Sequence, residues 1–292
     1  MDDVLLANWL FRLSHGQFFP WPNAEVQALH EESFAPPQSL RLGTIWRKPL
    51  PHQKFSPLTR FLVRMTTTLS KRYVMGIEGQ LDQLGAERDP TIFVANHNQR
   101  YEALMLPSLL FYLRDGKPVH FMADWNFALI PMVGLLYRHG QTILITRKKA
   151  KPKFLNVFKP LYRHKKPAFD RALERLRAGG AVGIFPEGTV NRDPLKLMRG
   201  LPGAARLALE SGARVIPLGI RFPEHEGDGP IPDGAKMTVD VGYPIFPPAI
   251  KPSSGPLPEE IEAFHVRIMM ALAEESGKAW HPSANKRRKY VV

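Results

Sequence analysis

The residues best able to do chemistry in this chain are His97 and Glu102, five positions apart in Asn96-His97-Asn98-Gln99-Arg100-Tyr101-Glu102. An imidazole exchanges its proton near neutral pH. A carboxylate five residues on, at the start of a helix, can fold back to hold the imidazole tautomer and stabilise the imidazolium. Alone, a histidine behind a strand is usually an ordinary loop or core residue. Three more blocks follow in order: Ile143-Leu144-Ile145-Thr146-Arg147, Phe185-Pro186-Glu187-Gly188-Thr189 and Val215-Ile216-Pro217-Leu218-Gly219-Ile220. Three of the four blocks set polar groups just past an apolar run that reads as a strand. Ligands of open α/β sheets bind along that carboxyl edge.

Other chemistries lack their residues. Cysteine is absent, which excludes a disulfide framework, a Cys-ligated metal and a Cys nucleophile. There is no G-x-S-x-G elbow, no phosphate loop and no G-x-G-x-x-G fingerprint. His30-Glu31-Glu32 and His225-Glu226 begin like a zinc-protease motif, but neither has a second His four residues on. Both read as solvated loop residues, and no metal site is expected.

The elements that must hold these residues alternate from about residue 90 onward. Strands are expected at 91–95, 118–122, 142–146, 181–185, 214–220 and 237–241. Helices are expected at 101–113, 127–137 and 202–210. A further helix carries the stripe Phe169, Ala172, Leu173 and Leu176, ended by Gly179-Gly180. A last helix opens at Pro258-Glu259-Glu260, carries Ile261, Phe264, Ile268 and Leu272, and closes at Gly277. The expected fold is therefore α/β: a mostly parallel sheet flanked by helices, with an N-terminal helical arm. Residues 1–54 read as that arm, 55–250 as the α/β domain, and 251–292 as a C-terminal helix and basic tail. The domain opens with an amphipathic helix over 58–75. Its stripe is Leu58, Phe61, Leu62, Met65, Leu69 and Tyr73, with Arg60, Arg64 and Lys71 opposite. That pattern suits either an interfacial helix or a surface helix packed on its own core.

The charge is the one unusual bulk property. Among 292 residues, 40 Lys and Arg stand against 27 Asp and Glu, a net of +13. This favours anionic partners: a membrane surface, a phosphorylated substrate or nucleic acid. No nucleic-acid motif accompanies the charge, so nucleic acid is disfavoured. The apolar runs 103–113 and 127–137 are too short to span a bilayer, and each contains a Pro. The start Met1-Asp2-Asp3 lacks the positive region of a secretory signal. The chain reads as cytoplasmic, peripherally bound to the inner face of a membrane.

In this order, the four blocks resemble the glycerolipid acyltransferase family, which includes 1-acylglycerol-3-phosphate acyltransferases. That family's signature runs His-x4-Asp, Phe-Ile-x-Arg, Phe-Pro-Glu-Gly-Thr-Arg and Val-Pro-x-x-x. The resemblance covers about residues 58–250 and extends to Gly134, Gly203-Ala204 and Gly242-Tyr243-Pro244-Ile245. It implies transfer of a fatty acyl group from an acyl thioester to the hydroxyl of a lysophospholipid or similar lipid acceptor, with no cofactor. The donor would be acyl-CoA or acyl-carrier protein. An alcohol is un-ionised at pH 7, so a base must take its proton as the bond forms, and His97 suits that role with Glu102 behind it. Without a Cys or a Ser elbow, direct transfer in a ternary complex is favoured. The family's use of its second and third blocks implies acceptor-phosphate binding by Arg147, Glu187, Gly188 and Thr189.

Three departures qualify the match. Glu102 stands where the family has Asp. Val190 stands where it has Arg, and the nearest cation is Arg192, a further candidate for the phosphate. Residues 148–166 read as an insertion. Residues 147–166 hold nine Lys or Arg and no acid, interleaved with Phe154, Phe158 and Tyr162. The first two departures motivate a second reading, a non-catalytic membrane- or lipid-binding relative.

Overall fold

In the structure, a computed structural model, residues 40–53, 56–146, 149–150, 153–225, 227–249 and 255–283 are described, all within the unit Pro36–Val292. In chain order the elements are α1 (Leu42–Arg47), α2 (Pro57–Ser70), β1 (Val74–Gly79), β2 (Thr91–Ala95), α3 (Glu102–Leu113), β3 (Val119–Asp124), α4 (Pro131–His139) and β4 (Ile143–Ile145). There follow α5 (Ala168–Arg177), β5 (Ala181–Ile184), α6 (Gly203–Ser211), β6 (Arg214–Arg221), β7 (Met237–Val241) and α7 (Pro258–Ser276). Short 3₁₀ segments lie between them, including Trp125–Leu129 and Lys153–Tyr162.

The seven strands form one sheet in the order β1-β7-β6-β2-β5-β3-β4. Every neighbouring pair is parallel except β6 with β7. The middle strands β2 and β5 are buried at every residue, and β6 at all but its last. Unbroken apolar runs of this kind suit strands covered by helices on both faces. Alternation along β2 decides which residue meets which cover. Phe93 and Ala95 join Ile216, Leu218, Val239 and the α3 residues Leu106, Leu109 and Leu110. Ile92 and Val94 face the other way, to Ala172 and Leu176 of α5, Ala205 of α6 and Phe264, Ile268 and Leu272 of α7. The C-terminal helix is thus part of the core.

The last turn of α7 lies directly on β6. A Cβ at Gly219 would fall 2.1 Å from the Glu275 backbone, so only glycine admits this approach. The helix then ends on Gly277 at φ +67°, with Gly277 N–H bonded to the Glu274 carbonyl at 3.1 Å and Lys278 N–H to the Ala273 carbonyl at 3.0 Å. This is the Schellman pattern, and it turns the chain back toward the sheet.

Two expected elements differ. The helix expected over 58–75 stops at Ser70, and Val74–Gly79 becomes the edge strand β1. The helix expected over 127–137 begins at Pro131, where proline's fixed φ suits a first turn. The orientation of α2 is inverted relative to its stripe. Thr59, Thr66, Thr67 and Ser70 are buried with Leu62 and Val63, whereas Leu58, Phe61 and Leu69 are exposed. The buried hydroxyls of Thr66 and Ser70 bond back to the carbonyls of Leu62 and Thr66, each at 2.8 Å. Those bonds satisfy most of a small polar face packed inward, although the Thr67 hydroxyl is buried without a hydrogen-bond partner.

Candidate active site

The site begins where β2 runs out. Beyond Ala95, Asn96 continues the ladder with its side chain: its amide donates to the Ile220 carbonyl at 2.9 Å and accepts from the Ile220 N–H at 2.7 Å. His97 follows at the carboxyl edge. Its Nδ1 lies 2.9 Å from Oε2 of Glu102, whose side chain has no solvent exposure, against 13% for the histidine. Glu102 opens α3, where a negative charge also suits the helix's positive end. The same Oε2 accepts the Asn98 N–H at 2.7 Å, and Oε1 accepts the Asn98 side-chain amide at 3.1 Å. The longer carboxylate therefore still reaches the imidazole. Because Nδ1–H donates to Glu102, the basic nitrogen of the ring is Nε2. The ring lies on that of Phe185, with centroids 4.5 Å apart and planes at 27°.

The turn after β5 holds the backbone of the histidine from both sides. Glu187 Oε1 accepts the His97 N–H at 3.1 Å, and the Asn191 N–H donates to the His97 carbonyl at 2.6 Å. Glu187 Oε2 accepts from the Asn191 side chain at 2.7 Å and from the Met198 N–H at 2.9 Å. Burial pushes the Glu187 carboxyl above its ordinary range, opposed by the Met198 and His97 N–H groups, the Asn191 amide and the charge of Lys278. Gly188 makes the turn at φ +66°, where a residue with a Cβ would be strained.

The other sequence-derived candidates are distributed differently. Thr189 is exposed and Gly188 half-buried. Arg192 is committed to protein: its guanidinium pairs with Asp233 at 2.7 Å and donates to the Ile231 carbonyl at 2.5 Å. Burial pushes the Asp233 carboxyl up, but the Arg100 N–H and the Arg192 guanidinium outweigh it and hold the group below its usual range. Arg147 lies outside the described residues. The structure thus brings His97, Glu102 and Glu187 together and sets Arg192 in a separate ion pair.

Sequence reading missed Lys278. Its Nζ donates to Asn98 Oδ1 and, at 2.6 Å, to the Asp193 carbonyl, and the residue is buried. The only sequence signal was a cation just past the helix-closing Gly277. Asn191, the second brace of His97, also carried no motif.

A base nitrogen backed by a buried carboxylate, at the ligand-binding edge of a mostly parallel sheet, can take a proton from a hydroxyl nucleophile. The Acyltransferase family model matches residues 78–221, which contain β2, His97, Glu102, Glu187 and β6. The chloroplastic 1-acyl-sn-glycerol-3-phosphate acyltransferase LPAT1 of Arabidopsis thaliana is 26% identical over 170 residues, 56% of this chain and 42% of that protein. The chain therefore spans less than half the length of that relative. The crystal structure of the 1-acyl-sn-glycerophosphate acyltransferase PlsC from Thermotoga maritima aligns with 82% of this chain and 89% of its own, at 19% identity and a TM-score of 0.49. Over residues 78–221 the chain is thus similar to the Acyltransferase family, and the relative it matches is a 1-acylglycerol-3-phosphate acyltransferase.

Proposed function

We propose that this protein transfers a fatty acyl group from acyl-CoA or acyl-carrier protein to the hydroxyl of a lysophospholipid or similar lipid acceptor at a membrane surface, with His97 as general base. The observation that carries the reading is the 2.9 Å contact between His97 Nδ1 and the fully buried Glu102. In the step itself, the acceptor oxygen attacks the thioester carbonyl carbon while its proton passes to His97 Nε2. The C–S bond then breaks, and the departing sulfur takes the proton back as a thiol. Glu102 holds the tautomer and stabilises the imidazolium between these events. Glu187 and Asn191 fix the histidine's backbone, which supports a positioning role for the third block. The named acceptor of the Arabidopsis relative, a 1-acylglycerol-3-phosphate, supports an acceptor carrying a phosphate, and the second block supplies Arg147 for it.

The membrane part of the reading rests on what lies exposed. Among the described residues no helix is long and apolar enough to cross a membrane. Instead, α2 turns Leu58, Phe61 and Leu69 outward, with Trp46 6.0 Å from the Phe61 ring. The segment Lys153–Tyr162 exposes Phe154 at 70%, Val157 at 73% and Leu161 at 79%. Large apolar side chains set among cations suit the interface of an anionic bilayer.

The test is thiol release by the purified protein from acyl-CoA and acyl-carrier protein, across a panel of lysophospholipids, with product esters identified by mass spectrometry. Release that needs both donor and acceptor, and an ester product, is expected. Folded protein that makes no ester above the protein-free rate with any pair overturns the reading. For Arg147→Ala, acceptor use should fall by one to two decades, since a charge-assisted hydrogen bond is worth about 1.5–3 kcal/mol. A best acceptor without an anionic group overturns that role.

A further inference from the structure

We infer that Lys278 is a positioning residue for the His97–Glu102 pair: it holds the amide that fixes Glu102, and the fold seals it in that place. The kinetic part of this inference rests on the acyltransferase reading; the spectroscopic part does not.

The first half follows from the direction of the hydrogen bonds. A side-chain amide has a donor end and an acceptor end, and its neighbours decide which way it points. The Lys278 ammonium can only donate, so Asn98 must turn Oδ1 toward it. That turns Asn98 Nδ2 toward Glu102 Oε1, at 3.1 Å. Glu102 only accepts and asks for the same orientation, so Lys278 and Glu102 hold the amide from its two ends. Without Lys278, Asn98 Oδ1 loses its charged donor and the amide is held from one end only. A relay thus runs from Lys278 through Asn98 to Glu102 and His97.

The second half follows from burial. Lys278 is buried, and its Nζ is spent on Asn98 Oδ1 and the Asp193 carbonyl. Its own burial draws Lys278 below its ordinary range, while Glu187, Glu102 and Asp193 hold it charged. Its placement is not accidental to the fold. Gly219 admits the last turn of α7 onto β6, the Schellman turn at Gly277 reverses the chain, and Ala279 pairs with the 195–197 segment, its N–H on the Leu195 carbonyl at 2.8 Å.

The experiment compares Lys278→Met, Lys278→Gln and Lys278→Arg with the wild type in the full chain. Two readouts are taken: kcat against KM, and the downfield NMR resonance of the His97 Nδ1–H bonded to Glu102 in the unliganded protein, identified by its loss in His97→Asn. Loosening Asn98 and Glu102 should shift or broaden that resonance in the Met and Gln variants. Lys278→Arg should stay near the wild type. Lys278→Met should also lose about ten- to a hundredfold in kcat, with KM for donor and acceptor changed by less than about threefold. If Lys278→Met does not fold, Gln against Arg decides, since Gln brings only a shorter, uncharged donor toward Asn98. A resonance and kcat at wild-type values in the Met and Gln variants overturn the inference, as does an Arg variant changed as far as Met. If the wild type proves to have no turnover, the acyltransferase reading fails, while the His97 Nδ1–H resonance still decides the role of Lys278.

Discussion

At the amino edge of the sheet, Asp89 takes Arg114 at 2.7 Å and Lys117 at 2.9 Å, with Asp89 and Arg114 almost wholly buried. Nearby, Arg214 donates to the Arg88 and Gln83 carbonyls, each at 2.9 Å. At the carboxyl edge, Glu102, Glu187 and Lys278 are buried and hydrogen-bonded in their turn. The two edges differ in where their networks end. At the carboxyl edge the network ends on His97, which is partly exposed and has only one ring nitrogen committed to Glu102. The amino-edge charges end inside the protein, with Asp89 Oδ1 and Arg114 Nε left without a hydrogen-bond partner. Buried charge is therefore common to both edges; in the proposed function, the base at the end of the network is what makes the carboxyl edge reactive.

Breaking the carboxyl edge should cost turnover and little stability. General-base catalysis contributes about 10²–10⁴ in rate, so His97→Ala should lose that much in thiol release while its thermal unfolding midpoint stays near the wild type. Equal loss of turnover and fold would erase the contrast. Breaking the amino edge should do the reverse. Asp89→Ala leaves Arg114 buried without its partner, and removing one member of a buried pair costs about 3–5 kcal/mol. Denaturant unfolding should show that loss, with the turnover of the folded fraction unchanged. A stable Asp89→Ala protein with slow turnover would move the amino edge into the catalytic machinery.

The smallest of these effects concerns the exposed apolar surface, where the usual arrangement is inverted. Full burial of a leucine side chain is worth about 1.5–3 kcal/mol, so Leu161→Ser should weaken co-sedimentation with anionic liposomes by about tenfold. Rising salt should weaken binding further, because each cation near an anionic surface contributes about 1 kcal/mol and is screened. Turnover on a dispersed, water-soluble acceptor should not change. Equal binding to neutral and anionic liposomes at every salt concentration would remove the electrostatic part.

Much of this was legible in the chain. β2, β5 and β6 announced themselves as short apolar runs because a strand covered on both faces can be nothing else, and α7 carried its own Pro start and Gly stop. His97 and Glu102 were legible because they are local, five residues apart at one strand end. β1 was not, since Val74–Gly79 holds two glycines and an exposed Met75, and Tyr73 extends the stripe of the preceding helix. The pattern of α2 left its orientation open for a clear reason. Threonine and serine can bury a helix face when their hydroxyls bond back to the helix, so the apolar stripe need not face the core. Lys278 was invisible because 180 positions separate it from Asn98, and only the folded sheet brings them together.

The central claim is that His97 and Glu102 act as one unit on a hydroxyl acceptor. Its most direct measurement is kcat for thiol release, on one donor–acceptor pair, in the wild type, His97→Ala, Glu102→Gln, Glu102→Asp and the double variant His97→Ala/Glu102→Gln. Groups that act together are non-additive, so the double variant should lie within about threefold of His97→Ala. Glu102→Gln should be strongly impaired, because a neutral amide cannot stabilise the imidazolium, and Glu102→Asp should stay active. Near wild-type turnover in Glu102→Gln would contradict the account, because the contact between His97 and Glu102 would then do nothing for the reaction.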